Sequence, residues 1–103
     1  VLTESSDARL KKNINPLQNS LTKIMSLNGY QYNWIDPNRS GLLQTGVLAQ
    51  EIEQQMPELV KTDKDGMKSV NYNGITPYLI ESVKELKLEI ESLKDEIKKL
   101  KSR

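Results

Sequence analysis

The last quarter of the chain is a heptad repeat. Its apolar residues are spaced alternately 4 and 3 residues apart, with Val or Ile at heptad position a and Leu at position d. A surface helix of a single domain has a wider apolar stripe with a 3.6-residue period, whereas a narrow a/d seam is typical of a coiled coil. The sequence therefore predicts a long C-terminal helix that associates with copies of itself. The seam consists of Leu79, Val83, Leu86, Ile90, Leu93, Ile97 and Leu100.

Charges beside the seam indicate how the helices are oriented. Glu89 and Glu96 fall at g, and Lys94 and Lys101 fall at the e positions that follow. Opposite charges at g and the next e favour parallel, in-register helices. Branched residues at a with Leu at d favour two strands by the general rule, but the seam is only about three heptads long. The pattern alone therefore leaves the number of strands open.

The rest of the chain is small for a self-sufficient domain. Only 36% of the 103 residues are hydrophobic. A folded unit of about 75 residues would bury only about 60% of its unfolded surface, which is marginal for a monomer. Oligomerisation is the usual remedy. The chain begins at Val1 rather than Met, which indicates a piece of a longer protein.

Two residue types are missing, and both absences restrict the chemistry. The chain has no Cys and no His, which excludes disulfides, thiol catalysis, Ser-His triads and the usual zinc sites. Its 15 basic and 14 acidic residues form no basic stripe, and no apolar run approaches a membrane span. Asp63, Asp65 and Gly66 lack the further oxygen ligands of a calcium loop. We therefore expect no metal, cofactor, nucleic-acid partner or membrane partner.

Ahead of the heptads, the pattern predicts an α+β fold: a small mixed helix and hairpin cap before the long helix. We expect Leu10 and Ile14 to be apolar anchors, and Trp34, Leu48 and Tyr72 to lie in the core. The Asp65-Gly66 pair predicts a hairpin turn. The expected elements are a helix from Asn15-Pro16 to about Leu27, a strand over 30–35, a loop over 36–41, a helix over 47–56, and hairpin strands at 59–60 and 70–72.

The only cluster suited to covalent chemistry runs from Ser6 to Lys11. A serine nucleophile needs a base, and without His the natural base is a lysine. A lysine serves as a base only when it is neutral, which burial or a cationic neighbour such as Arg9 or Lys12 would favour. A serine five residues before a lysine is common by chance, and Ser-Asp is an ordinary helix-capping pair. Spacing alone therefore leaves a non-catalytic reading open.

Three separated stretches add a family resemblance. They are residues 6–14 (SDARLKKNI), residues 46–53 with 57–60 (GVLAQEIE and PELV), and residues 68–72 (KSVNY) running into 79–86. In order and spacing they resemble the intramolecular chaperone domain at the C-termini of phage tailspikes and tail fibres, best known from endosialidase tailspikes. The Tyr32-x-Trp34 pair also fits. The resemblance covers nearly the whole chain.

That resemblance implies a homotrimeric, single-turnover serine peptidase that cuts itself from the fibre. By it, Ser6 corresponds to the nucleophile, Lys11 to the general base, and Ser5–Ser6 to the scissile bond; we call Ser6 and Lys11 the dyad. Ser5 is a rival by adjacency, but only Ser6 has the following Asp7 and the five-residue spacing. Possible supporting residues are Asp7, Arg9, Gln50 and Glu51, with a structural role favoured for the last two.

The resemblance also implies a domain organisation and partners. Residues 1–5 would be the tail of an upstream fibre, 6–76 the chaperone and auto-processing region, and 77–103 the coiled-coil helix. The partners would be two further copies of the chain and the upstream fibre segment. The domain would act in the cytoplasm of the infected host cell during virion assembly and be shed from the mature virion. Cleavage after trimer formation would require Lys11 to become competent only in the trimer.

Three other functions stay open on the sequence. The same architecture could serve as a non-catalytic trimerisation and folding module with an inert dyad. It could be an interaction module on a coiled-coil stalk. It could also be the self-cleaving segment of a membrane-tethered transcription factor, which carries a similar domain. Substitution of the dyad separates the first of these from an auto-processing chaperone.

Overall fold

The computed structural model describes residues 3–103 and has the predicted α+β organisation. Two antiparallel hairpins and two short helices precede one 27-residue helix, so the fold class and the long C-terminal helix are confirmed. Val1 and Leu2, in the predicted upstream tail 1–5, lie outside the described residues. The elements are α1 (Ser20–Met25), β1 (Tyr30–Tyr32), β2 (Gln44–Gly46), α2 (Ala49–Gln55), β3 (Val60–Thr62), β4 (Lys68–Val70) and α3 (Ile75–Lys101), with 3-10 turns at Ala8–Leu10, Pro57–Leu59 and Tyr72–Gly74.

Helix α3 presents two different faces. On the face toward the cap, Tyr78 and Ser82 are buried, and the Glu85 carboxylate accepts a hydrogen bond from the Leu21 backbone N–H at 2.8 Å. On the other face, the seven seam side chains are 44–65% exposed. The helix begins at Ile75, two residues before the predicted boundary at 77. Association through the seam stays a prediction, and the seam is open for it in the single chain.

The core of the cap is compact and built around α2. Its buried apolar side chains are Ile52, Met56, Leu59 and Tyr78. Ile52 lies in α2 and Met56 directly follows the helix, one helical turn later, so both side chains face the core, as predicted. The backbone N–H of Met56 donates to the Ile52 carbonyl at 2.7 Å and closes the helix. Partly buried residues complete the core: Leu17, Ile24, Leu27, Val47, Val60, Val70 and Ile75.

Both short helices begin later than predicted. The expected start of α1 at Asn15-Pro16 is wrong, because Asn19 has a left-handed backbone (φ 57°) that a continuous right-handed helix excludes. Glu85 from α3 supplies the helix cap instead. Helix α2 begins at Ala49 rather than Val47, because the backbone of Leu48, its N-cap residue, is extended (φ −99°, ψ 125°). Just before it, the Val47 N–H donates to the Tyr72 hydroxyl at 3.1 Å. The backbone conformations of Asn19 and Leu48 therefore set the two boundaries, and a tertiary hydrogen bond lies beside each.

The strands are shorter than predicted, and one was missed. Strand β1 ends at Tyr32 instead of 35, and it pairs with β2, for which no strand was predicted. The second hairpin is confirmed, but its strands are β3 and β4, paired Val60↔Val70 to Thr62↔Lys68, rather than 59–60 and 70–72. Gly66 has φ +85° in its turn, as an Asp-Gly turn requires. The Asp63 carboxylate accepts from the N–H groups of Asp65 and Met67 in that turn.

Several expected core residues lie on the surface of the single chain. Trp34 is 39% exposed, with the Arg39 guanidinium 4.3 Å above its ring, and Tyr32 packs against its edge. Leu48 and Tyr72 are about half exposed. The expected anchors Leu10 and Ile14 are more than two-thirds exposed. The interpretation of these residues as core is wrong, because the small core fills with residues from α2, the Pro57–Leu59 turn and α3.

Candidate functional site

A single 3-10 turn brings the two ends of the candidate catalytic cluster together. The turn spans Ala8–Leu10, and the Asp7 side chain caps it by accepting from the Arg9 N–H. Backbone bonds from Leu10 to Asp7 and from Lys11 to Ala8 close it. The chain therefore folds back between Ser6 and Lys11, and the Lys11 Nζ donates to the Ser6 Oγ at 2.8 Å. The structure thus places the predicted nucleophile and base in direct contact within one chain.

Asp7 and Arg9 form a second pair beside the dyad. The Arg9 guanidinium donates to both carboxylate oxygens of Asp7, at 2.9 and 3.1 Å. The side-chain and backbone hydrogen bonds from Arg9 hold the pKa of the Asp7 carboxyl below its usual value. The same pair raises the pKa of Arg9. Since its charge is already matched by Asp7, Arg9 is a weaker cationic neighbour for Lys11 than the sequence suggested.

The dyad lies in a stretch with no burial. Every residue from 3 to 16, which we call the N-terminal segment, is exposed. A lysine becomes a base more readily in a desolvated or cationic environment. The single chain therefore provides the geometry of the dyad without burying it.

One hydrogen bond ties the N-terminal segment to the remainder of residues 3–103. The Asn73 Nδ2 donates to the Glu4 Oε1 at 2.7 Å, across 69 positions of sequence. Glu4 lies directly before Ser5, so this contact reaches the predicted scissile bond from its upstream side. Sequence reasoning missed Asn73, because no periodicity or local motif links two residues so far apart.

Gln50 and Glu51 lie on α2, and Glu51 contacts the hairpin rather than the dyad. The Glu51 carboxylate accepts from the Tyr30 hydroxyl at 2.6 Å and from the Asn28 amide at 3.5 Å. Two effects raise the pKa of Tyr30: the hydrogen bond to Glu51, which is the larger, and desolvation. Gln50 is exposed. Glu51 therefore joins α2 to the start of β1, which is the kind of structural role favoured from the sequence.

Residues 3–103 contain no group of three or more acidic side chains placed to hold a metal ion. None of the helices in the same range is both long and apolar enough to cross a bilayer.

Comparison with known proteins gives one family. Residues 6–61, more than half of the chain, match the family model described as "Chaperone of endosialidase", whose family name is that of a peptidase. The match begins at Ser6, the residue that follows the predicted scissile bond.

Similar curated proteins are long tail fibre proteins of phages. The chain is 36% identical to long tail fiber protein Gp37 of Salmonella phage S16 over 97% of its own length and 14% of that protein. It is 36% identical to Gp37 of Escherichia phage AR1 over 68% of the chain and 7% of that protein. It is 30% identical to Gp37 of Enterobacteria phage T2 over 89% of the chain and 7% of that protein. The chain therefore spans only a small part of the length of these relatives.

Proposed function

The chain belongs to the chaperone-of-endosialidase family, and from that premise we propose that it assembles a phage tail fibre and then cuts itself off. Three copies associate through the seam and bring the upstream fibre chains into register. Ser6 then cleaves the Ser5–Ser6 bond with Lys11 as its general base. The similarity to phage long tail fibre proteins supports the fibre reading over a membrane-tethered transcription factor.

The observation that carries this proposal is the contact between Lys11 Nζ and Ser6 Oγ at 2.8 Å. In the structure the amine donates to the hydroxyl oxygen. At the same separation the hydroxyl can donate to the nitrogen once the amine is neutral, which is the geometry of general-base catalysis. Because both residues belong to one 3-10 turn, the geometry supports a base that acts on the nucleophile of its own chain.

The reaction is an attack on the peptide bond directly before the nucleophile. Lys11 takes the Ser6 hydroxyl proton as Oγ bonds to the carbonyl carbon of Ser5, and the carbonyl oxygen becomes an oxyanion. The carbon–nitrogen bond then breaks, and Lys11 returns the proton to the Ser6 nitrogen. The resulting ester joins Ser5 to the Ser6 Oγ. Water hydrolyses it to a Ser5 carboxylate and a free Ser6 hydroxyl. Since nucleophile and substrate share one chain, proximity replaces substrate binding.

The exposure of Lys11 supports a dependence on assembly. In the single chain the dyad is solvated, and Arg9 is paired with Asp7. Packing of a neighbouring copy against the N-terminal segment would desolvate Lys11 and favour its neutral, basic form. Cleavage would then follow trimer formation, in the cytoplasm of the infected cell, and the domain would be shed from the finished fibre. Removal of the domain after registration would leave a fibre whose stability is kinetic.

Registration by the seam has a simple physical benefit. Pairing between three β-rich chains is slow, because the chains lose conformational entropy when distant segments are brought together, before the non-local contacts that compensate for this loss have formed. Helices that associate in register hold three chain ends together and raise their effective concentration. The exposed seam and its g-to-e charge pattern support this role. Three copies, rather than the two that the a/d composition favours, follow from the family resemblance.

The proposal is tested on protein that carries a tag upstream of Val1. The intact mass of this protein is measured after denaturation. We expect the wild type to split between Ser5 and Ser6. Ser6→Ala should stay whole, and Lys11→Ala should cleave about 100-fold more slowly or more, because a positioned general base contributes roughly that factor or more. Ser5→Ala is the matched control and should still cleave. A wild type that stays whole but associates would instead indicate a non-catalytic folding module.

A further inference from the structure

On the upstream side of the scissile bond, Glu4 contacts Asn73, which lies near the other end of the cap in sequence. Among residues 3–103, the hydrogen bonds of the N-terminal segment are internal to it except for the one from Asn73 to Glu4, at 2.7 Å. The segment has no buried side chain that could fix its position by packing. Apart from the chain continuing into Leu17, which packs against the core, this hydrogen bond is what joins the segment to the cap.

The turn that carries Asn73 is well anchored. Asn73 lies in the Tyr72–Gly74 turn, where the Asn71 side chain accepts from the Gly74 N–H at 3.3 Å. The Asn71 N–H donates to the Leu59 carbonyl at 2.7 Å, and the Tyr72 hydroxyl accepts from the Val47 N–H. Gly74 lies so close to Leu59 that an added Cβ would come within 2.2 Å of its side chain. The turn is thus fixed to the core and leads directly into α3.

The distance along the chain from this anchor to the reacting bond is short. Glu4 is two residues before Ser6, and an extended chain spans at most about 3.6 Å per residue, so the two Cα atoms lie within about 7 Å. The predicted scissile peptide therefore lies between two side-chain hydrogen bonds. One is the contact of Glu4 with Asn73, and the other is the contact of Ser6 with Lys11.

From this arrangement, we propose that Asn73 is a positioning residue for autocleavage: its amide binds the side chain two residues before the nucleophile and presents the Ser5–Ser6 bond to the dyad. This inference rests on the proposed function. It requires that the side chains at positions 4 and 73 pair as hydrogen-bond donor and acceptor. It also links the reacting bond to the start of α3, so that association of the α3 helices would place each scissile bond in the same position relative to the stalk.

A reversal of the hydrogen-bond partners tests this role. Asn73→Asp keeps the size of the side chain but places a carboxylate against Glu4, and we expect cleavage to slow about tenfold through the loss of one hydrogen bond to a charged group. In the double variant Glu4→Gln/Asn73→Asp, donor and acceptor are exchanged, and the rate should recover. Asn38→Asp, in the exposed loop after β1, is the matched control and should cleave like the wild type.

Two measurements separate positioning from stability. The cleavage rate is followed by intact mass in single-turnover conditions, and the unfolding midpoint is measured in a Ser6→Ala background, where no cleavage intervenes. A tenfold slower rate with an unchanged midpoint, restored in the double variant, supports the inference. A wild-type rate in Asn73→Asp, a rate not restored in the double variant, or a midpoint that falls together with the rate would overturn it while the proposed function stands. A wild type that never cleaves would overturn the proposed function and this inference together.

Discussion

The core of the cap and the N-terminal segment are opposites in how they are held. The core consists of four side chains that are at most 8% exposed and come from α2, the turn after it, and α3. The N-terminal segment has every residue exposed, and the contacts that shape it span five residues or fewer, apart from that of Glu4 with Asn73. The core of the cap thus lies within one chain, whereas the dyad forms within one chain without being enclosed.

This difference separates folding from chemistry. Burial stabilises the cap, because each fully buried Ile, Leu or Met side chain contributes about 1.5–3 kcal/mol relative to an exposed one. The dyad is formed by a 3-10 turn whose side chains contribute little to that core. We therefore expect substitutions in the two regions to change different quantities, the free energy of unfolding in one and the cleavage rate in the other.

The largest expected contrast is between Ile52→Ala and Lys11→Ala. Ile52 is fully buried, so its truncation should lower the free energy of unfolding by about 2–5 kcal/mol. Lys11 is exposed, so its truncation should change that free energy by less than about 0.5 kcal/mol. Urea unfolding at one protein concentration, in a Ser6→Ala background, measures both. A loss of several kcal/mol in Lys11→Ala would mean that the N-terminal segment is part of the folded core.

A smaller effect should appear at the edge of the core under alkaline conditions. Tyr78 is buried and donates to Glu58; desolvation, then this hydrogen bond, raise the pKa of Tyr78 to about 12. Since the usual value is about 10, folding favours the protonated phenol. Its contribution to stability is complete below pH 10 and is lost as the pH rises toward 12. We expect the wild type to lose more stability than Tyr78→Phe over this interval.

Glu58→Gln refines the same experiment. A neutral amide at this position lacks the negative charge with which the Glu58 carboxylate repels the phenolate, so the pKa of Tyr78 should fall. The loss of stability at alkaline pH should then be smaller. Chemical unfolding at pH 9 and at higher pH compares the three proteins. Equal losses of stability in wild type and Tyr78→Phe would show that folding does not raise the pKa of Tyr78. The N-terminal segment should be unaffected by either substitution.

Local patterns in the sequence predict the parts of the fold that local forces determine. The heptads predict α3, and Asp65-Gly66 predicts the second hairpin, because helix period and turn geometry depend on neighbouring residues. Strand β2 was missed because Gln44–Gly46 carries no alternating apolar pattern and is defined by its pairing with β1. Helix α1 was predicted too long because its start depends on Asn19 and on Glu85, which is 64 residues from Leu21.

The candidate site divides in the same way. The family resemblance, rather than the spacing alone, assigned the dyad to Ser6 and Lys11, and one 3-10 turn is enough to bring these two residues into contact. Asn73 left no signal in the sequence, since its contact with Glu4 depends on how the Tyr72–Gly74 turn is fixed to the core. Residues expected in the core, such as Trp34 and Tyr72, remain exposed because the single-chain core is too small to include them.

The central claim is that the dyad acts only in the assembled protein, and Ile90→Lys tests it most directly. Ile90 is an a-position residue of the seam. Leu88 is an exposed residue of α3 outside the seam, so Leu88→Lys is the matched control. Oligomeric mass and single-turnover cleavage are measured on the same tagged samples. We predict that Ile90→Lys loses association and cleavage together, and that Leu88→Lys keeps both. A monomeric Ile90→Lys variant that cleaves at the wild-type rate would contradict the account.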